Sequence, residues 1–340
     1  MRCCGNCVGD PHLLRRTIPE RRVATGACDY CAGTNLPLVN ASDLRDEFEL
    51  LLSIYVSADN GRPILSWLRE DWAMFDVETI AEKSAEQLLI DILEDAAILE
   101  RRFAPSAMCR SDSLDRWQQF RHELMYANRF FPDAAIDLER LKGLLPHLLL
   151  HADDIPEEWF RARIQQTEAP FTREEMGAPP KQKALHGRAN PAGIPYLYLA
   201  STAATSVSEV RPHTGEFASV AHFKIAEDLK LVDLRDPRRT VSPFILDDEF
   251  QIAQLRADTG FLELLGQELT RPVVPRSAAI DYIPSQYLCE LIKKSGFDGV
   301  MYRSSVDDGM NIALFDSGRA AMGEIERQRV ARVTVELEAT

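Results

Sequence analysis

The sequence predicts an α+β fold in which a cysteine-rich segment and an all-α domain precede a mixed C-terminal domain. Two observations carry this prediction. From residue 41 to about residue 151, apolar residues recur at spacings of three and four, as along one face of a helix. After a junction at residues 151–160, short strand-like segments alternate with turns and helical stretches, which is typical of an α+β domain with antiparallel sheets. We therefore predict domains at residues 1–40, 41–152 and 153–340.

Two Cys-x2-Cys pairs define the first domain. They comprise Cys4 with Cys7 and Cys28 with Cys31, the spacing of a four-thiolate structural zinc site. Four ligands close the coordination shell, so the predicted Zn²⁺ stabilises the fold and is not catalytic. Cys3 is a substitute ligand, and free thiols or a redox pair remain the alternative.

The all-α prediction for residues 41–152 rests on amphipathic stretches. In each of them apolar residues fall on one side of a 3.6-residue period, so the side chains form a face that packs against a neighbour. The stretches are DLRDEFELLLSIY, ETIAEKSAEQLLIDILEDAAI, SLDRWQQFRHELMYANRFF and AAIDLERLKGLLPHLLL.

The C-terminal domain contains seven strand-like segments and one long Pro/Gly-rich loop, GAPPKQKALHGRANPAG. Helical stretches are expected near residues 202–210, 245–268 and 285–295. The strand-like segments are WFRARIQ, IPYLYLAS, FASVAHFKI, LKLVDL, DGVMYRSS, MNIALFD and ARVTVELE.

Composition limits the classes of function. The chain has 340 residues and a net charge of −14, which opposes a broad surface for nucleic acid. No apolar run reaches the roughly 18 residues of a membrane span, and the first ten residues lack the apolar core of a secretory signal. We therefore expect a cytoplasmic protein without membrane contacts, for which nucleic acid is an improbable partner.

Several polar residues stand out within apolar segments of the C-terminal domain. By strand alternation, Arg161 shares a face with Arg163, and Tyr196 shares one with Tyr198. Ser285 follows a proline at an expected helix start, which is the position of an N-cap. Each residue also fits an ordinary role as a strand charge, a packed aromatic or a helix end. The remaining members of this set are Arg188 and Glu209.

Taken jointly, these segments resemble the RES family, named for its Arg, Glu and Ser residues. The matching segments span about residues 158–318 and include FRARI, GRANPAGIPYLYLAS, SEVRP, LVDL, SQYLCELIKKSGFDGVMYRSS and NIALFD. The resemblance implies an NAD⁺-consuming toxin of a toxin–antitoxin pair. It also implies an ADP-ribosyltransferase-like domain of split antiparallel sheets with NAD⁺ in the central cleft. The CCGNC…CDYC segment and the helices after it resemble the zinc-binding, HEPN-like extension of longer members.

The resemblance assigns roles to five positions. Arg161 and Arg188 match the two family arginines, which would clamp the pyrophosphate because a guanidinium pairs well with phosphate oxygens. Glu209 would stabilise positive charge on the ribose. The catalytic candidates are thus Glu209, Arg161 and Ser285, and the NAD⁺-binding candidates are Arg161, Arg188, Tyr198 and Ser285, with Ser304 or Ser305 ranked below Ser285. Shorter members often carry an aromatic residue after each arginine, where this chain has Ala162 and Ala189.

The acceptor of the ADP-ribose group stays open. We favour an NAD⁺ glycohydrolase or phosphorylase over a protein ADP-ribosyltransferase, because no feature identifies a protein target. A second alternative is an RNA-processing protein, since Arg116 and His122 fit the loose spacing of HEPN ribonucleases. An antitoxin or regulatory protein and a second copy of the chain are the partners left open.

Overall fold

The computed structural model describes residues 1–274 and 276–334. Its strands are β1 (Arg2–Cys3), β2 (Ala24–Gly26), β3 (Leu36–Asn40), β4 (Tyr55–Arg62), β5 (Phe103–Pro105), β6 (Trp159–Ile164), β7 (Leu197–Ala200), β8 (Phe217–Ile225), β9 (Leu231–Asp233), β10 (Gly299–Arg303), β11 (Met310–Leu314) and β12 (Ala320–Arg329). Its helices are α1 (Gly5–Val8), α2 (Ile18–Glu20), α3 (Arg45–Leu52), α4 (Ile64–Trp72), α5 (Glu82–Leu93), α6 (Ser113–Tyr126), α7 (Leu138–Leu144), α8 (Arg173–Met176), α9 (Ala203–Glu209), α10 (Pro237–Thr240), α11 (Glu249–Thr270), α12 (Ala278–Asp281) and α13 (Ile283–Lys294).

The chain divides into two compact units. One consists of Met1–Asp115 with Pro237–Leu262, and the other of Arg116–Asp236 with Glu263–Thr340. The domain limits at residues 40 and 152 stay a prediction, because these units group segments that are distant in the sequence. None of the helices in the described part of the chain combines the length and the apolarity that a bilayer crossing requires.

In the first unit, a small antiparallel sheet of order β1-β3-β2 supports the N-terminal cysteines. Arg2 pairs with Asn40 and Ala24 pairs with Leu38. The first Cys-x2-Cys pair follows β1 directly, and the second lies in the connection between β2 and β3. Because both connections leave the same three strands, the sheet brings the two pairs together.

The helices of the first unit bury the apolar face that their periodicity predicts. Phe48 and Leu51 of α3 are fully buried, as are Leu88 and Ile92 of α5. The same region also contains an antiparallel β4–β5 pair, which the all-α prediction missed. The predicted first helix ran to Tyr55, whereas α3 ends at Leu52 and Tyr55 pairs with Pro105. That partner lies 50 positions away, so local periodicity does not reveal it.

The second unit contains a seven-stranded sheet of order β12-β8-β6-β7-β11-β10-β9. Strands β6 and β7 meet at a single register pair, Phe160 with Ala200, whereas β6 and β8 share six. The sheet is thus split at this junction, and the α+β prediction is confirmed. The β9–β10 pair is parallel rather than antiparallel, because a long helical crossover connects the two strands.

Both faces of the split sheet are covered by apolar side chains. Trp159 packs in a buried cluster with Leu197 and Leu199 on one face. On the other face, Val207 of α9 packs against Ala162 and its neighbours. Because α9 lies against β6 and β7, its C-terminal residue comes close to the junction of the two sheet halves.

The last strand differs from its prediction. The final strand is Ala320–Arg329, which pairs along its length with β8 and is interrupted by one bulge. The predicted strand ARVTVELE begins at residue 331, where the chain has left the sheet. Its residues 335–338 lie outside the described residues.

Candidate active site and candidate metal centre

A cavity of about 490 Å³ lies in the second unit and includes residues from both strands of the β6–β7 junction. This size is typical of sites for small molecules. Four of the five residues singled out by the sequence line it, namely Arg161, Arg188, Tyr198 and Glu209. Other lining side chains come from Phe160, Tyr282, Tyr302, Ser305 and Asn311.

Among the described residues, Arg161 has no carboxylate partner. Its Nη1 donates to the backbone carbonyl of Tyr198 at 3.1 Å, and its buried Nε has no hydrogen-bond partner among the described residues. Burial, with the charge of Arg163, lowers the pKa of the Arg161 guanidinium to about 10. A cation that is buried but unpaired favours the binding of an anion.

Arg188 is held over the cavity by its surroundings. Its Nη1 donates to the carbonyl of Arg271 at 2.8 Å, and its Nη2 donates to Ser305 Oγ at 3.4 Å. The guanidinium also lies 5.2 Å from the centre of the Tyr282 ring. None of these partners neutralises the positive charge, so Arg188 provides a second cation for an anionic ligand.

The hydroxyl of Tyr198 is engaged by the loop that carries Arg188. It donates to Asn190 Oδ1 at 2.7 Å and accepts from the backbone N–H of Ala189 at 2.9 Å. Burial raises the pKa of the Tyr198 phenol well above its usual value, so the group stays neutral. Tyr198 therefore shapes the wall of the cavity and orders the loop at the same time.

Glu209 is the acidic residue of the cavity among the described residues. It ends α9, a short helix of small residues whose N-cap Thr202 accepts from the backbone N–H of Thr205. Its Oε1 accepts hydrogen bonds from Ser304 Oγ at 2.7 Å and from Asn311 Nδ2 at 2.5 Å. The side chain is exposed, so Oε2 remains available to a ligand.

Ser285 does not line the cavity. It is fully buried as the third residue of α13, and its hydroxyl donates to the carbonyls of Arg188 at 2.6 Å and Tyr282 at 3.0 Å. The N-cap prediction is therefore wrong. The helix begins at Ile283, because Pro284 is accommodated in its first turn. The lower-ranked serines are closer to the site, since Ser304 contacts Glu209 and Ser305 contacts Arg188.

The structure separates Arg163, Tyr196 and Ala189 from the cavity, whereas Ala162 lines it. Arg163 lies over the Phe171 ring at 4.2 Å, and Tyr196 packs against Phe315. Ala162 is buried on the face covered by α9 and borders the cavity, and Ala189 is fully buried in its loop.

Sequence reasoning missed Asn311 and Tyr302. Asn311 is a buried polar residue in the apolar strand NIALFD, so the criterion that singled out Arg161 would have found it. Tyr302 is buried at the cavity wall, where burial raises the pKa of its phenol well above the usual value. An aromatic residue in a strand carries no local signal that separates packing from binding.

The four predicted cysteine ligands form a compact cluster. The Sγ–Sγ distances are 3.7 Å for Cys4–Cys7, 3.6 Å for Cys4–Cys31 and 3.4 Å for Cys7–Cys28. Four thiolates at about 2.3 Å from one Zn²⁺ in a tetrahedron lie roughly 3.8 Å apart. The cluster therefore fits one tetrahedral ion, and Cys3 is not part of the set.

The two residues of the HEPN-like spacing lie on one helix, and their ribonuclease role stays a prediction. Arg116 and His122 both lie on α6, six positions apart, which places them about 120° apart around the helix. The His122 ring packs near Tyr126 at 5.2 Å. The two side chains therefore point in different directions.

Comparison with known protein families identifies the family of this chain. The sequence profile of the RES domain matches residues 158–337, which is more than half of the chain. The chain belongs to the RES domain family. The resemblance drawn from the residues is thereby confirmed for the RES domain, and the N-terminal extension stays a prediction. The matched range contains every residue that lines the cavity.

A structural comparison finds this chain similar to a chain in the crystal structure of the M. tuberculosis MbcT-MbcA toxin-antitoxin complex. The sequence identity is 14% and the TM-score is 0.33. The match covers 56% of this chain and 93% of the other. No curated protein sequence matches this chain.

Proposed function

We propose that the RES domain breaks the nicotinamide–ribose bond of NAD⁺ and transfers ADP-ribose to water or phosphate. The observation that carries the proposal is the charge pattern of the cavity. Neither Arg161 nor Arg188 has a carboxylate partner in the described part of the chain, and Glu209 offers a carboxylate on the same cavity. NAD⁺ matches this pattern, because it has an anionic pyrophosphate and a ribose that becomes positively charged during cleavage.

The reaction needs little covalent chemistry from the protein. The C–N bond breaks, and its electron pair leaves with nicotinamide, which becomes neutral. Glu209 stabilises the positive charge that develops on the ribose and accepts a hydrogen bond from a ribose hydroxyl. An oxygen of water or phosphate then forms the new C–O bond and releases its proton to the solvent. Arg161 and Arg188 hold the pyrophosphate, so the reacting carbon stays close to the carboxylate.

Turnover of NAD⁺ by the purified full chain tests the proposal. Nicotinamide release is measured with and without inorganic phosphate, because ADP-ribose marks hydrolysis and its 1-phosphate marks phosphorolysis. Glu209→Gln is expected to lower kcat/KM by about 100-fold or more. The matched control is Glu227→Gln, an exposed glutamate outside the cavity, which should retain wild-type turnover. Wild-type protein that releases no nicotinamide, or a fully active Glu209→Gln variant, would contradict the assignment.

We further propose that this activity makes the protein a growth-arresting toxin with an antitoxin partner. Membership in the RES family supports this role. Expression in bacteria should deplete NAD⁺ and stop growth, whereas expression of Glu209→Gln should do neither. If the protein modifies a target protein instead, labelled ADP-ribose will appear on protein while the NAD⁺ pool remains nearly constant.

For the first unit we propose a structural Zn²⁺ held by the four clustered cysteines. The Sγ spacing supports it, because the three Sγ–Sγ distances of 3.4–3.7 Å are far longer than the roughly 2.05 Å of a disulfide. Metal analysis should find one zinc per chain. Cys7→Ser should lose the ion, and Cys109→Ser should retain it, since Cys109 lies outside the cluster. A metal-free protein with two titratable disulfides would favour the redox alternative.

A further inference from the structure

Two adjacent residues of α13 hold two adjacent carbonyls of the loop that carries Arg188. Ser285 Oγ donates to the carbonyl of Arg188 at 2.6 Å, and Gln286 Nε2 donates to the carbonyl of Gly187 at 2.8 Å. Both side chains are buried, with 0% and 7% of their surface exposed. Neither residue lines the cavity.

The same loop is fixed from its other side. Gly187 N donates to the carbonyl of Asn190 at 2.9 Å, and Asn190 Oδ1 accepts from the Tyr198 hydroxyl. A Cβ atom on Gly187 would lie 2.3 Å from Asn190 Oδ1 and 2.5 Å from the Tyr198 hydroxyl oxygen, so only glycine fits. The loop is therefore enclosed between α13 and β7, and its backbone position depends on these few hydrogen bonds.

We infer that Ser285 and Gln286 are positioning residues, which fix the backbone of Arg188 so that its guanidinium reaches the cavity. This inference rests on the proposed function, in which Arg188 binds the pyrophosphate. A long arginine side chain loses conformational freedom when it binds an anion, and a fixed backbone reduces that cost. Ser285 thus contributes through Arg188 and does not contact the substrate, in contrast to the catalytic role that the family pattern implies.

A double-mutant cycle separates the two roles of Ser285. Ser285→Ala leaves the buried Arg188 carbonyl without this donor, and we expect kcat/KM to fall by about tenfold, mainly through KM. In an Arg188→Ala background, the same substitution should have almost no further effect. Losses that multiply in the double variant would show that Ser285 acts on the substrate directly, which would overturn the inference.

Gln286→Glu adds a pH-dependent readout. An ionised carboxylate cannot donate to the Gly187 carbonyl, whereas the protonated acid can. Activity relative to wild type should therefore be low at pH 8 and should recover towards pH 5. Activity that is reduced equally at both pH values, or unchanged at both, would contradict the positioning role of Gln286.

Amide hydrogen exchange tests the same contacts without NAD⁺. Ser285→Ala and Gln286→Met should speed exchange within residues 184–196. The matched control is Ser295→Ala, because Ser295 lies just after the other end of α13 and its hydroxyl donates to the carbonyl of Leu291 at 2.8 Å. Unchanged exchange in the first two variants would overturn the inference. If wild-type protein does not consume NAD⁺ but exchange responds as expected, the proposed function fails while the loop contacts stand.

Discussion

Replacement of Arg161 by methionine should stabilise the free protein while it removes activity. Arg161 is a half-buried cation whose buried Nε has no hydrogen-bond partner among the described residues, and desolvation lowers the pKa of its guanidinium to about 10. This lowering corresponds to a cost of about 3 kcal/mol for the charged form at neutral pH. Loss of the hydrogen bond to the Tyr198 carbonyl offsets about 1 kcal/mol of the gain. The expected net effect is a stabilisation of about 2 kcal/mol, since methionine fills much of the same space with apolar atoms.

Activity should change in the opposite direction. Without the Arg161 charge, the cavity loses one of the three arginines that line it, Arg161, Arg188 and Arg211, and under the proposed function kcat/KM should fall by about 100-fold or more. The folded state disfavours the charged guanidinium, whereas the unfolded state leaves it solvated. The cost of this charge in the folded state is therefore present at every pH below about 10. The gain in stability should therefore be nearly constant between pH 6 and 8.

Urea unfolding of Arg161→Met and wild type, combined with NAD⁺ turnover, measures both effects. Arg163→Met provides the matched control, because Arg163 lies on the same strand, is not part of the cavity wall and covers Phe171. It should retain turnover within about twofold, in line with the small effects of most surface substitutions. A less stable Arg161→Met variant, or one with wild-type turnover, would refute the view that Arg161 is an uncompensated ligand-binding cation.

Three further predictions concern other parts of the chain. Burial raises the pKa of the Asp10 carboxyl to about 6, so the free energy of unfolding falls as the pH rises from about 4 to 6. In thermal unfolding, the Asp10→Asn variant should be more stable than wild type by up to about 3 kcal/mol at pH 7.5 and equally stable at pH 4. A difference independent of pH would contradict this reasoning. Asn311→Ala removes a hydrogen bond to Glu209 and should lower kcat about tenfold with little change in KM, so a selective change in KM would speak against it. A chelator should remove zinc and lower the unfolding temperature of wild type, and it should have no further effect on Cys7→Ser.

The sequence by itself determined the family, the helical periodicity and the spacing of the clustered cysteines. A Cys-x2-Cys pair has a fixed geometry, and an amphipathic helix must bury its apolar face, so both features follow from neighbours in the chain. The ordered segments around Arg161, Arg188, Tyr198 and Glu209 also sufficed to identify the RES domain. These four residues were selected from the pattern, and the structure places all of them on one cavity.

Only the tertiary structure decided which polar groups are free to meet a ligand. Ser285 has the same hydroxyl group as Ser304 and Ser305. Its hydroxyl donates to the carbonyl of Arg188, 97 positions away, whereas Ser304 contacts the Glu209 side chain and Ser305 contacts the Arg188 side chain. The β4–β5 pair and the parallel β9–β10 pair likewise depend on partners far along the chain. The residue type determines which hydrogen bonds a side chain can form, and the fold determines which of those hydrogen bonds are formed within the protein.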